Sequence, residues 1–131
     1  MRKKILIVDD DILLHRLMRH QLEQEGFISL HAINGREALN LAFAHQPDAI
    51  VLDIVMEGLD GISVLRELRR NLLTHDTPIL MITSSTLEIA RKEAALHGVQ
   101  QFLVKPFGPA QLARHIRNAL SPADAPAPQA R

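Results

Sequence analysis

The chain has 131 residues, enough for one domain with a sizeable core. Its 15 Lys+Arg balance 15 Asp+Glu with no dense basic run, which argues against nucleic-acid binding by this domain itself. The lack of cysteine excludes disulfides, thiolate metal sites and cysteine nucleophiles, and without Tyr or Trp there is no base-stacking surface.

From the amino end, Lys4 to Val8 reads as a buried strand that ends in Asp9-Asp10-Asp11. The apolar run is far too short for a signal peptide or a membrane span, so the expected location is cytoplasmic. Leu14, Leu17, Met18 and Leu22 then recur at helical spacing until Gly26 supplies a stop, with Asp11 as the N-cap. Phe27 to Ala32 reads as an edge strand. Asn34 with Glu37 three residues later has the form of a capping box, opening a helix through about Gln46 before Pro47.

Ala49-Ile50-Val51-Leu52-Asp53 is the stretch around which the rest is arranged. Four apolar residues in a row suit a central strand buried on both faces, and they place Asp53 at its carboxyl end. An aspartate beside a glycine-containing turn also fits a simple turn former. Asp60 or Gly61 starts a helix carrying Ile62, Leu65 and Leu68, and 71–77 reads as a loop. Ile79 to Ile82 forms the fourth strand and runs into Thr83-Ser84-Ser85, any of which could cap the next helix. Leu87, Ile89, Ala90, Ala94 and Leu96 mark that helix, stopped by Gly98. Gln101 to Val104 is the fifth strand, ending in Lys105-Pro106. A last helix, from about Pro109 to Leu120, carries Leu112, Ile116, Ala119 and Leu120 as its inner stripe. The domain therefore spans 1–120, and 121–131 is a Pro/Ala-rich tail or the start of a linker.

Five strands alternating with five helices predict an α/β fold with a parallel sheet, helices on both faces and right-handed crossovers. In that arrangement Asp9, Asp10, Asp53, Thr83 and Lys105 all stand at strand ends and converge on one edge of the sheet. Three carboxylates, a hydroxyl and an ammonium are the parts needed to hold a hard cation and a phosphoryl group together. Mg²⁺ takes a few carboxylate oxygens plus water and phosphate, so Asp10 and Asp53 suit direct ligation and Asp9 a water-mediated contact. Adjacent carboxylates raise one another's pKa unless a cation offsets them. Zinc is not indicated: the seven histidines are scattered, and each reads as a surface or packing residue. A carboxylate attacks phosphorus only when charge on the phosphoryl oxygens is neutralised, a task for the metal and Lys105, with Thr83 donating a hydrogen bond.

These motifs, taken in order, resemble the receiver domain of bacterial two-component response regulators. They are Val8-Asp9-Asp10-Asp11, Leu52-Asp53, Met56 followed by Gly58-Leu59-Asp60-Gly61, Met81-Ile82-Thr83-Ser84 and Phe102-Leu103-Val104-Lys105-Pro106-Phe107, matching from about Arg2 to Leu120. The resemblance implies a flavodoxin-like sheet of order 2-1-3-4-5. It implies that Asp53 accepts a phosphoryl group from a phosphohistidine on a histidine kinase or histidine phosphotransfer protein, with Mg²⁺ required. It assigns the metal to Asp9, Asp10, Asp53 and the Val55 backbone carbonyl, the phosphoryl oxygens to Lys105, and a conformational switch to Thr83 and Phe102. It further implies a cis bond at Lys105-Pro106 and an output face made by the fourth helix, fifth strand and fifth helix, where a partner protein binds. Such a domain is a phosphoacceptor that assists its own phosphorylation and dephosphorylation rather than an enzyme. Glu57 departs from the proline usual at its position. Val55 and Ser85 stand where the family tunes phosphoryl lifetime.

Two rivals share parts of the pattern. An aspartyl-phosphate phosphohydrolase of the haloacid-dehalogenase type needs a second acid two residues after the nucleophile, where this chain has Val55. A flavodoxin-like cofactor binder would place its phosphate loop after the first strand, where three aspartates make a poor cradle for an anion. A pseudo-receiver that only docks is disfavoured by the complete acidic set. With no output segment after Leu120, the chain reads as a stand-alone receiver, the alternative being the N-terminal receiver of a longer regulator. Homodimerisation is a further option for the output face.

Overall fold

The computed structural model describes residues 2–56, 60–84, 88–99 and 101–120. Glu57, Ser85, Leu87, the side chains of Ile89 and Ala90, and the segment 121–131, on which some expectations fall, lie outside that description.

The elements follow the chain as β1 (Lys4–Val8), α1 (Ile12–Gln24), β2 (Ile28–Ala32), α2 (Gly35–His45), β3 (Ala49–Asp53), α3 (Gly61–Arg70), β4 (Ile79–Thr83), α4 (Glu88–Leu96), β5 (Gln101–Val104) and α5 (Pro109–Leu120). The strands form one parallel sheet in the order β2-β1-β3-β4-β5. Central strands covered on both faces carry unbroken apolar runs, and β3 and β4 are buried along their whole length.

The two-residue period of a strand divides those runs between two cores. Leu6, Val8, Ile50, Leu52, Ile79 and Met81 face α2, α3 and α4, packing with Ala38, Ala42, Val64, Leu65, Leu68 and Ala94. Ile5, Ile7, Val51, Leu80 and Ile82 face α1 and α5, packing with Met18, Leu22, Leu112, Ala113 and Ile116. Three helices thus cover one face and two the other.

Helix starts follow the expected chemistry. The Asp11 side chain accepts from Leu13 N–H at 2.9 Å, Asn34 from Glu37 N–H at 2.8 Å, and Asp60 from Ser63 N–H at 2.8 Å. Glu37 reaches back to Ile33 N–H at 2.8 Å, closing a reciprocal pair one residue ahead of the cap. Gly26 and Gly98 take the left-handed conformation after α1 and α4 (φ 87° and 83°).

Three helix faces differ from expectation. In α1 the inward side chains are His15, Met18 and Leu22, and Leu17 is 45% exposed. Positions 15, 18 and 22 form one stripe at helical spacing, which turns position 17 to the flank. In α5 the buried stripe is Leu112, Ala113 and Ile116, with Ala119 and Leu120 at its margin. Leu96, at the last turn of α4, is 85% exposed. The Lys105-Pro106 peptide is cis, as the resemblance implied.

Candidate functional site at the carboxyl edge of the sheet

Register decides which side chains meet. Val8 pairs with Leu52, Asp53 with Ile82, and Thr83 with Val104. Asp9 and Asp53 therefore leave adjacent strands at the same level, and Lys105 leaves β5 one residue beyond the Thr83 pair. The strand order reverses between β1 and β3, the point at which sheets of this type bind ligands.

Carboxylate oxygens of Asp9, Asp10 and Asp53 lie within 4.8 Å of one another, Asp9 and Asp53 buried and Asp10 exposed. Lys105 Nζ stands 2.7 Å from Asp9 Oδ2 and 3.3 Å from Asp53 Oδ2. The remaining oxygens are held by backbone: Asp9 Oδ1 accepts from Asp11 N–H at 2.8 Å, and Asp53 Oδ1 from Val55 N–H at 3.1 Å. Asp9 Oδ2 is buried, with the Lys105 ammonium as its counter-charge.

Electrostatics follow from that crowding. Burial raises the Asp53 carboxyl to about 6 and the Asp9 charge adds to the rise, while Lys105 and the Val55 N–H oppose it. Burial works against the Lys105 ammonium, but its contact with Asp9 and the charges of both aspartates outweigh this and raise its pKa. At neutral pH the site therefore holds an ionised Asp53 beside a firmly protonated amine.

Thr83 is buried at the end of β4, and its carbonyl accepts from Lys105 N–H at 2.7 Å, locking the β5 exit to β4. Val55 follows Asp53 by two residues and is exposed. Phe102 lies away from the carboxylates. It pairs in register with Met81, packs on the core beneath α2, α3 and α4, and carries the Arg91 guanidinium 4.9 Å from its ring centroid.

Two features escaped the sequence reading. A Cβ on Gly61 would lie 2.1 Å from the Asp53 carbonyl oxygen, so only glycine lets α3 start against the end of β3. His15 is buried, with Nε2 2.7 Å from the Asp9 carbonyl oxygen and Nδ1 2.7 Å from His31 Nδ1. Its place on the Met18–Leu22 stripe was the available signal. His31, on the next element β2, offered none.

The family described as response regulator receiver domain matches residues 5–117. The chain belongs to that family. A relative from Bacillus subtilis (strain 168), the "Alkaline phosphatase synthesis transcriptional regulatory protein PhoP", is 36% identical over 98% of this chain and 52% of its own length. The "Transcriptional regulatory protein ResD" of the same organism is 37% identical over 89% of this chain and 48% of its own length. The receiver thus spans about half the length of the curated relatives it matches. Among solved structures, Vibrio cholerae chemotaxis protein CheY4 superposes with a TM-score of 0.86 at 32% identity, covering 92% of this chain and all of that one. A CheY-like receiver from Methanospirillum hungatei JF-1 shares the fold at a TM-score of 0.88 and 23% identity, over 95% of this chain and 98% of that one. The five-stranded sheet of order 2-1-3-4-5 is the receiver fold, and the matching family is one of signalling domains. Among the described residues no helix is long and apolar enough to cross a membrane.

The acidic cluster fits a hard cation. It offers oxygen donors only, and their atoms are held close together at the sheet edge.

Proposed function

We propose that Asp53 is the phosphoacceptor of this receiver and takes a phosphoryl group from a phosphohistidine on a histidine kinase or histidine phosphotransfer protein. The observation that carries this reading is the position of Asp53: ionised at neutral pH, buried, and set between an acidic neighbour and an ammonium. An Asp53 oxygen forms the new bond to phosphorus as the bond to the histidine nitrogen breaks, the nitrogen leaving with the electron pair. Lys105 Nζ is placed to follow the incoming phosphoryl oxygens, and the backbone N–H of Val55 steadies the carboxylate. Asp9, Asp10 and Asp53, with the Val55 carbonyl, would hold Mg²⁺. When bound, Mg²⁺ supplies the positive charge that phosphoryl oxygens need during transfer.

The Thr83 hydroxyl and Phe102 form the switch pair in this reading. Phosphorylated Asp53 carries about two negative charges, and Thr83, one residue past the β4 partner of Asp53, is a hydroxyl-bearing strand end placed to answer them. The Phe102 ring and its Arg91 partner join β5 to α4, so a shift of Thr83 would be read on the face formed by α4, β5 and α5. Beside the carboxylates, a pocket of about 150 Å³ is lined by Asp11, Leu13, Leu14, Leu17, Lys105 and Phe107. Its apolar wall gives the phosphohistidine partner a surface close to Lys105.

Incubation with acetyl phosphate and Mg²⁺ should add one phosphate, read by intact mass, and Asp53→Asn should abolish the addition. Unchanged labelling in that variant would refute the assignment.

A further inference from the structure

We propose that His15 is a positioning residue for the acidic pair: its Nε2–H anchors the peptide joining Asp9 to Asp10, and His31 and Ser29 hold its ring in the required tautomer. The inference rests on the metal and phosphoacceptor site proposed above.

Asp9 stands where the ladder between β1 and β2 ends. Its N–H is taken by the Ala32 carbonyl at 3.1 Å, the last rung between β1 and β2. The chain then turns away from the sheet, leaving the Asp9 carbonyl without a strand partner in a buried place. A buried unpaired carbonyl is unfavourable. His15 Nε2 fills the vacancy at 2.7 Å. That carbonyl belongs to the peptide plane linking Asp9 to Asp10, so holding it sets the direction in which both carboxylates leave the backbone.

A carbonyl only accepts, so Nε2 of His15 carries the proton. In the neutral ring Nδ1 is then an acceptor. Nδ1 of His31 lies 2.7 Å away and must donate to it, which makes the His31 Nε2 an acceptor, and Ser29 Oγ stands 2.9 Å from that atom with a hydroxyl to give. One continuous direction of donation, Ser29 to His31 to His15 to the Asp9 carbonyl, satisfies every atom of the relay with both rings neutral. Burial above all, with the Arg19 charge and the repulsion that any positive charge on His15 would add, lowers the His31 pKa to about 4, so that ring is neutral at physiological pH. The rings meet edge to face, with centroids 4.8 Å apart. Because the relay starts on β2 and ends at the exit of β1, it ties the aspartate turn to the edge of the sheet.

Two substitutions separate positioning from packing. His15→Met fills the volume without an N–H, whereas His15→Gln places an amide N–H near the Nε2 position. Isothermal titration of metal-free protein with Mg²⁺ should show affinity reduced about fivefold in His15→Met, the scale of one ordinary hydrogen bond, and restored toward wild type in His15→Gln. Phosphorylation by acetyl phosphate should be slowed in His15→Met at limiting Mg²⁺ and recover at saturating Mg²⁺. Imidazole nitrogen shifts in metal-free wild type should show His15 protonated on Nε2 and His31 on Nδ1. The opposite His15 tautomer, or equal Mg²⁺ affinity in His15→Met and wild type, overturns the inference. If wild type itself does not bind Mg²⁺ while the tautomers are as stated, the site assignment fails, and the positioning role with it.

Discussion

Asp53 and His31 pull the pH dependence of stability in opposite directions. Asp53 titrates near 6 in the folded state against 3.8 unfolded, so between those values the folded protein binds the extra proton. Stability from this group rises as pH falls from above 6 toward 3.8, and at neutral pH its ionised form is a net liability. His31 titrates near 4 folded against 6.5 unfolded, so its contribution is complete above 6.5 and is lost as pH falls toward 4. In metal-free buffer at pH 7.5, Asp53→Asn should therefore be more stable than wild type by about 1–2 kcal/mol, or roughly 4–8 °C in Tm. Saturating Mg²⁺ should raise the wild-type Tm and leave that of Asp53→Asn nearly unchanged, since a ligand stabilises only the form that binds it. A scan from pH 7 to 4 should show Asp53→Asn losing stability more steeply than wild type, and His31→Gln less steeply. Thermal melts read all three, and an Asp53→Asn protein no more stable than wild type at pH 7.5 would remove the charge conflict from the account.

At the level of elements, the junction of β3 with α3 is the tightest. Gly61 N–H donates to the Ile54 carbonyl at 3.0 Å, and the missing Cβ leaves room for the Asp53 carbonyl. Gly61→Ala should push α3 away, destabilising by about 2–3 kcal/mol and slowing phosphorylation roughly tenfold or more through displacement of Asp53. A variant with wild-type Tm and labelling rate would show the contact to be yielding. At the opposite end of the same helix, the Arg69 guanidinium donates to the carbonyls of Thr74, His75, Thr77 and His97, binding the loop after α3 to the end of α4. Arg66 and Glu93 pair across the same two helices. Arg69→Met should cost about 2 kcal/mol in a urea melt while leaving the rate of labelling at Asp53 intact, and an equal loss of both would place Arg69 in communication with the site.

Legibility in the sequence divides along the same line. Strands β1, β3 and β5 were readable to the residue and β4 to within one, because buried parallel strands are unbroken apolar runs, and the polar residues at their ends, Asp9, Asp53, Thr83 and Lys105, came with them. Asp11 and Asn34 were readable as caps because capping is local, and Asp60 as one of two residues that could start α3. Which flank of α1 turns inward was not, since it depends on how the helix crosses the sheet; hence His15 rather than Leu17. The His15–His31 contact joins residues 16 apart, one on α1 and one on β2, and the clearance at Gly61 exists only once α3 is docked.

For the whole molecule, the proposed switch would act across the sheet: the carboxylates sit at one edge, Phe102 and Arg91 sit on the α4 side of β5, and Thr83 ends the strand between β3 and β5. Thr83→Ala should still be labelled by acetyl phosphate, yet its output partner should bind no more tightly after labelling; an undiminished gain in affinity, measured by titration of the phosphorylated protein, would count against the switch.

Because all five strands run the same way, every turn that follows a strand lies at the edge that carries the carboxylates, and every turn that precedes one lies at the other. The connection 71–78, with Leu72 almost wholly in solvent, lies at that other edge. A dye, an epitope or a new pair of termini placed there should be tolerated by the phosphoacceptor, making the rear of the domain the natural place to attach a reporter that watches the front without touching it.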